Sequence, residues 1–163
     1  MGGVALFSIN EILDIAIRLE KNSEAVYREA AASVSKPEIA AALEWMADEE
    51  VEHAQWFEGL RNTTFIKPET ASLETLNADF LKTIIGGQSF SLDDVDFVDL
   101  QQVSDLLEVF IESEKDGIMF YEMLMPFIRD EGTRTMLEHI IVEEQNHIKS
   151  LKEFIAPAPA LEK

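Results

Sequence analysis

Glu50-Val51-Glu52-His53 sets a carboxylate and an imidazole three residues apart, and ninety-four residues later Glu144-Gln145-Asn146-His147 repeats the arrangement. At that spacing a Glu and a His lie about one turn apart on one helix face, so both can reach a single ion in a bundle interior. The doubling continues upstream. Glu20 stands seven residues before Tyr27 and Glu114 seven before Tyr121, and each Glu precedes its Glu-x-x-His by thirty residues. Four identities at one shared offset arise by chance on the order of one time in a thousand, which points to one helix pair used twice. A lone Glu-x-x-His would mean little, because 22 of the 163 residues are Glu and any His has roughly a one-in-seven chance of such a partner. Here two of the three His match, and both fall within the repeat.

If each of four helices carries one Glu at mid-height and two carry a His one turn on, six candidate ligands converge in a low-dielectric interior. Four buried carboxylates must then protonate or hold metal, and two divalent cations would balance their charge. Carboxylate with imidazole suits iron or manganese and also accepts zinc. Glu50 and Glu144 are placed to bridge two ions, while Glu20, His53, Glu114 and His147 are placed as terminal ligands. Tyr27 and Tyr121 have two open readings: hydrogen-bond donors behind the carboxylates, or core filler. His139 reads as a surface residue, and Met46, Met119, Met123 and Met136 read as core filler.

The elements that must position these groups are legible as well. Ser8 and Glu11 form a capping box with Phe7 and Ile12 as a staple, opening a helix that runs to about Val34. Ser35-Lys36-Pro37-Glu38 breaks and restarts the chain, so the second helix returns antiparallel. Its inner stripe reads Ile39, Leu43, Met46, Ala47, Glu50, His53, Ala54, Phe57 and Leu60. Residues 61–98 form a crossover, with a short helix expected from Ser72 to about Ile85. The third helix starts at Asp99, with Pro126 near its end. The fourth runs from about Thr133 to Ile155 with Leu137, Ile140, Ile141, Glu144, His147, Ile148 and Leu151 inward. The expected fold is all-α: one four-helix-bundle domain over 1–163, with helix pair 8–60, crossover 61–98, helix pair 99–155 and tail 156–163.

Composition narrows the chemistry further. The balance of 13 Lys and Arg against 32 Asp and Glu gives a net charge of −19, which repels phosphate backbones and anionic lipid; no nucleic acid or membrane partner is expected. Most carboxylates read as a solvated surface, the exceptions being the four on apolar faces. The absence of Cys excludes disulfides, thiolate zinc sites and iron–sulfur clusters. No apolar run reaches membrane-spanning length and the start lacks a basic leader, so a cytoplasmic location is expected.

These residues resemble the ferritin-like superfamily, most closely its rubrerythrin branch. The likeness covers Glu20 with Tyr27, Glu50-x-x-His53, the long crossover, Glu114 with Tyr121, and Glu144-x-x-His147. It implies a ferritin-like bundle with a non-haem di-iron site that reacts with dioxygen or peroxide, so two iron ions are the expected cofactor. The chain departs from that pattern in four places. Gly117 stands where rubrerythrins proper carry a further Glu, the four-Cys rubredoxin module is missing, Val51 stands where bacterioferritins carry a haem-ligating Met, and the proline-containing tail leaves no room for a fifth helix. Haem is therefore not expected, and electrons would come from an external donor. The expected function is oxidoreduction of peroxide or dioxygen, in the context of oxidative stress. The alternatives are ferroxidase or metal-sequestering activity and a structural zinc bundle. A homodimer is expected, with helix swapping through the crossover open to it.

Overall fold

The computed structural model describes residues 6–7, 9–61, 71–72 and 100–155. Among the described residues four helices of equal length dominate: α1 (Ile9–Ser33), α2 (Pro37–Arg61), α3 (Leu100–Leu124) and α4 (Glu131–Ile155), each of 25 residues. At 1.5 Å per residue each is about 37 Å long. The two-residue strands β1 (Leu6–Phe7) and β2 (Ala71–Ser72) pair antiparallel. The short helix expected from Ser72 lies, beyond Ser72 itself, outside the described residues, as do the Ser8 and Asp99 caps and the tail 156–163.

α1 and α2 are separated by three residues, and Pro37 opens α2 in the first turn, where its missing N–H is no loss. α1 packs chiefly against α2 and α3 against α4, giving a four-helix bundle built from two similar helix pairs. Exposed ion pairs add a seam between α1 and α2: Arg28 reaches Glu44 at 2.8 Å and Asp48 at 2.9 Å, and Lys21 reaches Glu58 at 2.6 Å. In water such pairs stabilise little individually.

α4 starts two residues earlier than the sequence suggests. Asp130 caps it, its Oδ2 accepting from the Thr133 backbone N–H and hydroxyl, both at 2.8 Å. The helix therefore begins at Glu131 and carries Gly132 in its first turn. Within the second pair, α3 ends at Leu124 and a 3-10 turn over Met125–Phe127 takes up Pro126 before α4.

The buried residues of α2 are those of the expected stripe, and the α4 set differs only in gaining Thr133 and in leaving Ile148 half-buried. Met46 is buried, but Met119 and Met136 are exposed. Each stands next to an inward position and so points about 100° away from the core.

Among the described residues the core forms two clusters rather than one. Leu13, Phe57, Leu60, Phe120, Leu124 and Leu137 belong to one, and Ala30, Leu43, Met46, Leu107, Phe110 and Leu151 to the other. On every helix the candidate ligands fall between the two clusters in sequence, so apolar packing at both ends encloses a polar layer at mid-height.

Candidate metal centre

Each helix delivers its share of that layer because one or two positions of an otherwise apolar stripe are Glu or His. Glu20, Glu50, His53, Glu114, Glu144 and His147 are all buried, none more than 5% exposed. They converge as two overlapping groups, Glu20, Glu50, His53 and Glu144 in one, and Glu50, Glu114, Glu144 and His147 in the other. Within each group the candidate ligand atoms lie within 4.8 Å of one another. Glu50 and Glu144 belong to both groups, while each of the other four belongs to one.

The imidazoles face each other across the layer, ring centroids 6.5 Å apart and planes 26° off parallel. Nδ1 of His53 lies 3.0 Å from Glu144 and 3.6 Å from both Glu20 and Glu50. Nδ1 of His147 lies 3.0 Å from Glu144 and 3.3 Å from both Glu50 and Glu114. Despite these distances His53 Nδ1, Glu50 Oε1 and Glu144 Oε2 make no hydrogen bond of acceptable geometry. Buried polar atoms are almost always paired. Glu50 Oε1 and Glu144 Oε2 face Nδ1 of His147, and Nδ1 of His53 lies in the other group, so the three orphans fit a cation in each group.

The electrostatics agree. Burial raises Glu20 well above the carboxylate range, and Glu50 and Glu144 raise it further. Glu114 is pushed up to about 8, by burial first and then by Glu144. Burial works against charging His53 and His147, but the three carboxylates around each ring outweigh it and raise both above the ordinary imidazole range. A metal-free centre therefore holds protons, which divalent cations would displace.

The tyrosines donate hydrogen bonds, and they do so across the bundle. Tyr27 of α1 donates to Glu114 of α3, and Tyr121 of α3 donates to Glu20 of α1. Each also packs in an apolar cluster, Tyr27 edge-on to Phe110 and Tyr121 against Phe57, so both readings of these residues hold at once.

Two residues escaped sequence reasoning. Glu143 Oε2 stands 2.9 Å from Nε2 of His53, and Glu49 Oε2 stands 2.6 Å from Nε2 of His147. Each carboxylate sits behind a ring whose Nδ1 faces the centre, an arrangement that fixes tautomer and ring orientation. Glu49 and Glu143 are also ninety-four residues apart. The repeated unit is thus Glu-Glu-x-x-His, a signal present in the sequence and hidden among its many surface carboxylates.

Comparison with known proteins agrees with this geometry. The Rubrerythrin family model matches residues 11–155. A crystal structure of a ferritin-like diiron-carboxylate protein from Thermotoga maritima superposes with a TM-score of 0.71 at 22% identity, covering 94% of this chain and 97% of the other. Among curated proteins none matches.

Proposed function

For this chain, which belongs to the rubrerythrin family, we propose a di-iron oxidoreductase that reduces peroxide or dioxygen with electrons from an external donor. The observation that carries this reading is the sharing of Glu50 and Glu144 between two four-residue groups, each completed by its own Glu and His. Glu50 and Glu144 would serve both ions, and the other Glu and His of each group would serve one. Iron bound there would supply the electrons, cycling between ferrous and ferric states.

The chain's own residues set the conditions. Glu20, His53 and the bridging pair would hold one ion, and Glu114, His147 and the same pair the other. Tyr121 holds Oε1 of Glu20 and leaves Oε2, which faces Nδ1 of His53, to the ion, whereas Tyr27 and Nδ1 of His147 meet the same Oε1 of Glu114. Glu143 and Glu49 hold the imidazole rings with Nδ1 inward. The apolar clusters on either side exclude bulk water, which strengthens every electrostatic interaction inside.

Metal content is measured as purified and after anaerobic ferrous loading, followed by optical spectra on adding one equivalent of peroxide. Two irons per chain with near-ultraviolet absorption growing within seconds support the reading. Iron that binds without responding to peroxide or dioxygen overturns it.

The charge of −19 favours a second reading, iron sequestration or ferroxidation, since such a field concentrates cations near the surface. More than two irons per chain, or ready release to an acceptor, would support it. Among the described residues no helix is long and apolar enough to cross a membrane.

A further inference from the structure

The ninety-four-residue repeat relates the two halves of the centre closely, but it breaks at their outer edges. One turn before Glu143 stands His139; at the matching position, one turn before Glu49, stands Trp45. The two flanks of the centre are therefore built from different chemistry.

On the His53 flank the side chains form a polar path from solvent to the centre. His139 is exposed, and its Nδ1 lies 3.4 Å from Glu143 Oε1. Glu143 is about a quarter exposed, and its other oxygen meets His53 Nε2. Beyond the ring, Nδ1 of His53 faces Glu20, Glu50 and Glu144. On the His147 flank Glu49 occupies the matching place, but beside it the indole of Trp45 sets its ring against the imidazole of His147, centroids 5.8 Å apart and planes at 78°. Both imidazoles are buried and Glu49 is about a fifth exposed, so the flanks differ in the side chain beside each carboxylate, His139 or Trp45, rather than in exposure.

A divalent cation leaving water must exchange its hydration shell for other ligands as it goes. Imidazole and carboxylate supply lone pairs for that exchange, whereas an indole has a single N–H donor and no acceptor. We propose that cations reach the centre past His139 and Glu143, so that the position held by Glu20 and His53 fills first and empties first, while Trp45 closes the flank of Glu114 and His147. The inference rests on the metal-binding reading above and adds an order and a direction to it.

The test follows cobalt(II) uptake by its visible absorption in a stopped-flow instrument, using the whole chain stripped of metal. Release into a chelator is followed in the same way. Two phases of equal amplitude are expected in both directions. His139→Ala slows the first uptake phase about tenfold with little change in the amount bound at equilibrium. Trp45→His, which makes the second flank like the first, speeds the second phase by a similar factor. Both side chains are at least half exposed, so neither change threatens the fold, and circular dichroism checks this.

A single uptake phase in the unaltered protein overturns the inference, as does an unchanged rate in either variant. These outcomes are distinct from failure of the metal reading itself, which shows as no cobalt bound at equilibrium in any form of the protein.

Discussion

Nε2 of His53, on α2, is held at 2.9 Å by Glu143, on α4, so the carboxylate that orients this ring comes from the opposite helix pair. Glu143→Ala is expected to weaken metal binding about 10- to 100-fold through loss of that orientation. Titration calorimetry with zinc, together with an unchanged far-ultraviolet dichroism spectrum, checks it. An affinity equal to that of the unaltered protein would remove Glu143 from the centre.

Glu50 and Glu20 differ in how many groups they serve, and their removal should differ accordingly. Glu50→Ala loses both ions, while Glu20→Ala keeps the one near Glu114 and His147; metal analysis after dialysis separates the two. In the metal-free protein Glu20→Ala also leaves the buried Tyr121 hydroxyl without its acceptor, which costs about 1–3 kcal/mol and lowers the melting temperature by a few degrees.

Tyr27→Phe and Tyr121→Phe each remove a buried donor from a carboxylate. A loss of about 1–3 kcal/mol per change is expected, read from urea unfolding of the metal-free protein. Unchanged midpoints would mean that the rings contribute by packing alone.

The stability of the metal-free protein should fall as pH rises from about 5 to 8. Glu114, raised to about 8 by burial and then by Glu144, keeps its proton in the folded state after the unfolded chain has lost it. His53 and His147, raised by their carboxylate neighbours against the effect of burial, stay charged when folded after the unfolded rings are neutral. In both cases the folded state binds more protons across this window, so the slope of unfolding free energy against pH is negative. Melting curves at half-unit steps check the sign, and a rise toward pH 8 would contradict it.

Gly117 lies inside α3, and a Cβ built there meets nothing within 4 Å. Gly117→Ala should therefore stabilise the protein by about 0.5–1 kcal/mol through helix propensity alone. Denaturant midpoints measure this; a loss of stability would reveal a packing role for the bare backbone.

Much of this architecture is legible in the sequence because period and offset survive projection onto one dimension. The stripe from Ile39 to Leu60 is unambiguous since every member is apolar except Glu50 and His53. Glu49 and Glu143 were not legible as part of the centre. They lie about 100° off the stripe, where a chain of charge −19 normally carries solvated carboxylates, and only packing of α2 against α4 reveals what each one touches. The crossed pairing of Tyr27 with Glu114 and of Tyr121 with Glu20 is likewise a tertiary fact. The start of α4 was misplaced because Gly132 reads as a break, whereas Asp130 satisfies the first-turn donors and lets the helix run through it.

Tyr27 with Glu114, Tyr121 with Glu20, His53 with Glu143 and His147 with Glu49 all join one helix pair to the other, whereas close helix packing is concentrated within the pairs. The polar layer is thus a register mark between two halves whose apolar surfaces alone would tolerate sliding. A slip of one turn, about 5.4 Å, would break all four of these pairs and leave the buried Glu20, Glu114, His53 and His147 without them. The buried charges that make the layer costly in the absence of metal also restrict the halves to a single alignment.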